Sequence, residues 1–172
     1  SRAADVIDVV RAKVEELVQD KALVEAVTLG AVKYAFAKYR LGGDINFNID
    51  ETVSLQGNSG PYLQYAHARA RSILAKSTAD FTTPTELHDE DRMLVRKLGE
   101  YHAVVDVAIA SLEPHHICNY LFELAQEFNR YYEANKVIGS EYEAHRLSLV
   151  ALYADILKAG LTILGIHAPE RM

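Results

Sequence analysis

The sequence predicts an all-α fold: a helical bundle led by a helical connector. Two observations predict it. Apolar residues recur at alternating steps of three and four along most of the chain, the spacing that places them on one face of a helix. No strand-like segments alternate with helices as a βαβ fold requires, and no fixed-period repeat marks a solenoid. Residues 1–50 read as the connector and residues 51–172 as the bundle.

The elements follow in order. Val6, Val10, Val14 and Leu17 share one face of a first helix. Asp20 suits the N-cap of a second, which runs through Leu23, Val27, Ala31 and Tyr34 until Leu41-Gly42-Gly43-Asp44 ends it. Ile45, Phe47 and Ile49 alternate with polar residues, which predicts a short extended segment. Gly57-Asn58-Ser59-Gly60 reads as a loop, and Pro61 suits the first position of a helix reaching about Lys76. Ser77 to Pro84, rich in Ser and Thr, reads as a linker.

Three long helices are predicted after it. The first carries Leu94, Leu98, Tyr101, Val105, Ala108 and Leu112. The second opens at Pro114 and carries Ile117, Leu121, Leu124, Phe128 and Tyr131. The third carries Leu147, Val150, Ala154, Leu157, Leu161 and Leu164, with Gly165 placed to end it. Such stripes are the core faces of antiparallel packed helices.

Composition narrows the function classes. With 172 residues and 49% hydrophobic content, the chain buries a core without staples. No apolar run reaches the ~18–20 residues of a membrane span. Acids throughout the first twenty residues argue against a secretory signal. Cys118 is the only cysteine, so no disulfide framework forms within the chain, and a cytoplasmic location is expected. The net charge of −6 argues against a nucleic-acid partner, but it is uneven. Residues 33–76 hold six bases against three acids, whereas residues 77–143 hold thirteen acids against five bases. One part of the molecule is therefore suited to phosphates while another repels them.

Catalytic and metal chemistry is sparse. Asp89, Glu90 and Asp91 sit where a helix begins, and acids there favour the helix dipole. His115, His116 and Cys118 are the only metal-like group; adjacent helical residues diverge by about 100°, so no metal site is expected. Gly57-Asn58-Ser59-Gly60 lacks the spacing and the lysine of a phosphate-binding loop. No catalytic residue and no cofactor-binding residue is assigned.

The segment Leu55 to Arg69 stands apart. A flexible loop leads into a Pro-initiated helix, and Tyr62, Tyr65 and Arg69 share one face of it at i, i+3 and i+7. Leu63, Ala70 and Leu74 lie on another face and suit inward packing. Aromatic faces stack on unpaired bases, and a guanidinium meets phosphate or stacks. The same tyrosines also suit a half-buried core position with hydroxyls at the rim. The residues alone leave both readings open.

Gly57-Asn58-Ser59-Gly60-Pro61-Tyr62-Leu63-Gln64-Tyr65-Ala66-His67-Ala68-Arg69 resembles the arginyl-tRNA synthetase pattern G-N/D-T/S-A/G-P-Y-x-Q-Y-A-x-x-R. Gly30-Ala31-Val32-Lys33-Tyr34-Ala35 resembles the stretch upstream of it in that family. Asn119 to Leu124, continued by Phe128 and Tyr132, resembles its Y-L-x-x-L helix. Leu164 to Met172 resembles its L-G-x-x-x-P-E-R-M ending. The motifs stand in the family's order over nearly the whole chain.

The resemblance implies the DALR-type anticodon-binding bundle of a class I aminoacyl-tRNA synthetase, here the C-terminal region of an arginine–tRNA ligase. It implies arginine tRNA as partner, through the anticodon stem-loop, and a catalytic domain of the same enzyme as neighbour. Tyr62, Tyr65 and Met172 map onto residues that contact anticodon-loop bases, with Ala66 and Arg69 as neighbours. Met172 is expected near the face bearing Tyr62 and Tyr65, and Tyr120 and Tyr132 are read as core residues. Ser1-Arg2 maps to the end of the family's K-M-S-K-like loop. The ATP-binding domain with its H-I-G-H-like motif has no counterpart here, so the chain is expected to be inactive, ATP and magnesium serving the parent enzyme. Two alternatives remain at this stage: the anticodon-binding domain of a glycyl β-subunit-type synthetase, disfavoured by the P-E-R-M ending, and a stand-alone helical protein–protein module, suggested by the acidic residues 77–143.

Overall fold

The structure, a computed structural model, describes residues 3–81 and 86–172. Ser1-Arg2 and the last residues of the Ser77–Pro84 linker lie outside the described residues. Among the described residues the regular elements are helical, as the periodicity requires. They are α1 (Ala3–Leu17), α2 (Val24–Ala37), α3 (Ile49–Thr52), α4 (Gly60–Ala75), α5 (Arg92–Gly99), α6 (Tyr101–Ser111), α7 (His115–Ala134) and α8 (Glu143–Ile163). Single 3₁₀ turns at Lys21–Leu23 and Asp89–Asp91 lead into α2 and α5.

The apolar residues separate into two clusters. The larger gathers the inner faces of α4, α5, α7 and α8 and includes Leu63, Leu94, Leu121, Leu124, Phe128, Leu147, Tyr153 and Leu157. The smaller joins α1 and α2 through Val10, Val14, Val18, Val24, Val27 and Ala31, with Val53 beside α3. Helix α4 lies against both α2 and α8 and so links the two.

The approach of α4 to α2 is close enough to dictate sequence. A β-carbon on Gly60 would come within 2.2 Å of the Gly30 carbonyl oxygen, so neither backbone has room for it. Gly60 was expected as a loop residue; it is also a crossing point. Ser59 caps α4, its side-chain oxygen accepting from the Tyr62 amide at 3.1 Å, and Pro61 occupies the first turn. Asp20 caps as expected, accepting from the Ala22 amide.

Several expectations are corrected. Leu17 is 48% exposed, because α1 ends there and the turn directs Val18 inward instead. Ile45 and Phe47 lie in irregular chain with no partner strand among the described residues, and Ile49 begins α3 under an Asn48 cap. The single helix expected from Leu94 to Leu112 breaks at Glu100 into α5 and α6. Leu112 is 77% exposed rather than core. It takes a left-handed φ of 56°, and the Glu113 amide reaches the Ala108 carbonyl at 3.1 Å. Leu112 thus fills the role a glycine usually has at a helix end, where the chain reverses into α7. At the end of α8 that role falls to Gly165, at φ 70°.

Asp91 is more than a helix-dipole acid. It is fully buried and hydrogen-bonded by the His88 amide at 2.9 Å, His145 Nε2 at 2.6 Å and the Tyr131 hydroxyl at 3.1 Å. These bonds tie the start of α5 to α7 and α8. Burial pushes the Asp91 carboxyl up, but the donors outweigh it and hold the group below its ordinary value.

Candidate nucleic-acid interface

Helix α4 carries the candidate residues, and the loop before it is held from three sides. The Tyr34 hydroxyl reaches Asn58 Oδ1 and the Cys118 carbonyl, and the Lys38 ammonium donates to the Asn58 carbonyl at 3.3 Å. The Ser59 hydroxyl donates to the Ser54 carbonyl. The loop is therefore an anchored entry into α4 rather than a loose one.

The structure brings Tyr62, Tyr65, Ala66 and Arg69 onto one face of α4 but gives them different burial. Tyr65 is 40% exposed and Arg69 is exposed. Ala66 is half-buried and packs on the larger cluster. Tyr62 combines the two readings the sequence left open. Its ring meets Phe122 edge-on at 5.8 Å, its hydroxyl accepts from Asn129 Nδ2 at 3.1 Å, and only its rim stays open to solvent. Burial raises its phenol above the ordinary value, with Asn129 and Arg69 acting in the opposite direction. The rim of Tyr62 and the face of Tyr65 remain for contact.

Tyr120 is buried, as expected, with its hydroxyl donating to the Lys97 carbonyl at 2.7 Å. Tyr132 is only half-buried: it stacks on Phe128 at 5.8 Å, and Arg69 lies over its ring. The aromatic surface thus extends from α4 to α7. Asn129 had no motif to mark it, and Tyr132 was marked only as a core residue, because their relation to α4 is set by helix packing.

Part of the positive segment is engaged within the fold. Lys33 donates to the Gly165 carbonyl at 2.6 Å, and Arg40 lies 3.8 Å from Glu113. Arg71 pairs with Asp155 at 3.3 Å and Glu170 at 3.5 Å. Among the described residues Arg69 and Lys76 have no carboxylate partner within ion-pair distance. Of the six bases in residues 33–76 only Arg40 and Arg71 thus meet a carboxylate among the described residues, and Arg69 is an exposed cation on the tyrosine face.

Met172 lies elsewhere. It is half-buried against the smaller cluster of α1 and α2. The segment leading to it is held by Gln64, His67 and Arg71, which sit roughly half a turn of α4 away from Tyr62 and Tyr65. Helix α4 thus separates the tyrosine face from the face that grips the last residues.

Two groups of metal-capable side chains are present among the described residues. The Asp91 oxygens in the first, with His88 and His145, are already met by the donors described above. In the second, the expected divergence of His115 and His116 is not seen: their rings lie 4.2 Å apart with Glu113 beside them. Side chains in the first turn of a helix lean back past its N-terminus, which draws the pair together. Cys118 belongs to the core instead, and burial pushes its thiol up to about 12. No helix among the described residues is long and apolar enough to cross a membrane.

Comparison with known proteins accords with this geometry. The chain is 43% identical over 155 residues to an arginine–tRNA ligase of Frankia casuarinae, covering 87% of this chain and 26% of that protein. It is 38% identical over 180 residues to the arginine–tRNA ligase of Vibrio campbellii, covering 99% of this chain and 31% of that protein. It superposes on the solved Thermus thermophilus arginyl-tRNA synthetase with a TM-score of 0.91 and 31% identity, covering all of this chain and 32% of that one. The chain spans about a quarter to a third of the length of these relatives and corresponds to their C-terminal region. The profile described as the DALR anticodon binding domain matches residues 63–172, and the chain belongs to that family.

Proposed function

We propose that this chain is the anticodon-binding region of an arginine–tRNA ligase, and that it holds the anticodon stem-loop of arginine tRNA. One observation carries the reading: a single helix face presents the exposed Tyr65 and Arg69 beside the rim of Tyr62. Unpaired bases stack on the phenol faces, and the Arg69 guanidinium meets a phosphate or lies on a base. Ala66, small and half-buried between them, leaves room for a base to approach α4. Met172 contributes a flexible, polarisable side chain at a second patch, so the bound loop wraps from the tyrosine face toward α1 and α2.

In this reading residues 1–50 connect the bundle, 51–172, to a catalytic domain of the same cytoplasmic enzyme. That domain uses ATP and magnesium to join arginine to its tRNA, a step in protein synthesis. This chain supplies binding and orientation rather than chemistry. The deciding experiment is a titration of the chain with arginine tRNA at several salt concentrations. Binding that weakens steadily with salt and is lost when the anticodon loop is replaced supports the reading. Affinity indifferent to salt and to the loop sequence would favour a protein-binding module.

A further inference from the structure

We infer that Gln64 and His67 are positioning residues that lock the segment 165–170 against α4 and so set the place of Met172. The inference rests on the anticodon-binding reading and adds a device to it.

Both side chains are fully buried, and both are polar. They stand three residues apart on α4, on the side away from Tyr62 and Tyr65. Each reaches a backbone carbonyl of the closing segment: Gln64 Nε2 donates to the His167 carbonyl at 2.8 Å, and His67 Nδ1 lies 2.8 Å from the Pro169 carbonyl. A carbonyl only accepts, so His67 carries its proton on Nδ1. Gln64 Nε2 also donates to the Ala26 carbonyl of α2 at 3.1 Å, so one amide group joins α2, α4 and the closing segment.

Two outer ties complete the hold. Lys33 on α2 donates to the Gly165 carbonyl at 2.6 Å, and Arg71 on α4 pairs with Glu170 at 3.5 Å. Ile166 and Ala168 alternate with the bonded residues and enter the larger core. The segment is therefore fixed at nearly every residue from Gly165 to Glu170. Met172 follows two residues later, against the α1–α2 cluster.

The arrangement is not the cheapest way to fill this space. Gln64 Oε1 and His67 Nε2 are buried with no hydrogen-bond partner among the described residues. Burying such atoms unmet is unfavourable, and apolar side chains of similar volume would avoid it. What apolar residues cannot do is fix the register of a backbone segment that has no helix or strand of its own. A slip of one residue would remove both carbonyl contacts together. The pair thus trades stability for a defined position of the last residues, and the residue so positioned is Met172.

The test is a double-mutant cycle on the full 172-residue chain. Gln64→Met removes the amide donors at similar volume; His67→Leu removes the ring donor, and His67→Asn restores a donor near Nδ1. Each is made with and without Met172. Protection of residues 165–172 from limited proteolysis reads how firmly the segment is held, and titration with arginine tRNA reads binding. The expected result is lost protection in Gln64→Met and His67→Leu, recovery in His67→Asn, and affinity reduced about five- to tenfold only while Met172 is present.

Lys33→Met, at an exposed position, loosens the same segment without touching the core and serves if a buried variant fails to fold. Unchanged protection, or affinity losses that add to the loss from deleting Met172, would overturn the inference while Tyr65→Ala still weakens binding. If neither Tyr65→Ala nor deletion of Met172 alters tRNA affinity, the anticodon-binding reading itself fails and takes the inference with it.

Discussion

The guanidinium of Arg69 lies 5.3 Å from the ring centroid of Tyr132, so the exposed cation of α4 is laid across an aromatic ring of α7. This contact orders the side chain without neutralising it. A salt-bridged arginine has to give up a carboxylate before it meets a phosphate; one resting on a ring keeps its donors outward. Arg69→Ala should weaken tRNA binding and flatten its dependence on salt, while Arg69→Lys recovers the slope better than the affinity. A slope equal to that of the parent chain would remove Arg69 from the phosphate contacts.

The two tyrosines should separate in a binding and stability comparison. Tyr65→Ala should weaken binding by about 1–3 kcal/mol with little change in melting, since its ring is the more exposed. Tyr62→Ala should additionally cost about 1–3 kcal/mol of folding stability, because it removes the Phe122 contact and leaves Asn129 without its partner. Equal melting temperatures for both variants would contradict the burial difference.

Gly60→Ala tests the crossing of α2 and α4. An alanine normally favours a helix over glycine, but here its methyl would meet the Gly30 carbonyl at 2.2 Å. The helices must separate, at a cost of about 1–3 kcal/mol by urea unfolding. A stabilised variant would show that the crossing is looser than described.

Stability should also depend on pH through two buried groups. Burial, the largest influence, lowers the His67 pKa below the ordinary 6.5, so the folded chain refuses a proton that the unfolded chain accepts. The stability associated with neutral His67 is therefore fully present above pH 6.5 and declines as pH falls below it. Asp91 acts lower: its pKa is depressed from 3.8, so its contribution is present above that value and lost as pH falls through the folded pKa. Melting temperatures measured from neutral pH downward should begin to fall near 6.5 in the parent chain, and His67→Asn should remove that first decline. A decline of the same size in the variant would assign it to another group.

Catalysis is the remaining test. The chain alone should give no arginine-dependent pyrophosphate exchange with ATP, because it contains no sequence like the ATP-binding motifs of the family. Exchange above a no-protein control, in a preparation free of host synthetase, would show that it holds a catalytic site.

The sequence by itself determined the all-α class, the start of α4 at Pro61 to within a residue, the inward face of α7 and the family. These depend on local spacing, or on contiguous motifs, and both survive in one dimension. The tertiary structure decided the rest. Leu112 fits the apolar period but lies outside the core, because the chain reverses there before the stripe is complete. Tyr132 fits a core position, yet it is only half-buried, and what lies over its ring is the cation of Arg69, sixty-three positions earlier on α4, rather than an apolar side chain. Asp91 looks like a helix-start acid and is the buried centre of a network whose donors come from α7 and α8. Gln64 and His67 read as polar residues within a helix motif; only folding brings the carbonyls of His167 and Pro169 to them. Spacing along a helix states which side chains share a face, but what faces them is set by packing between segments far apart in the chain.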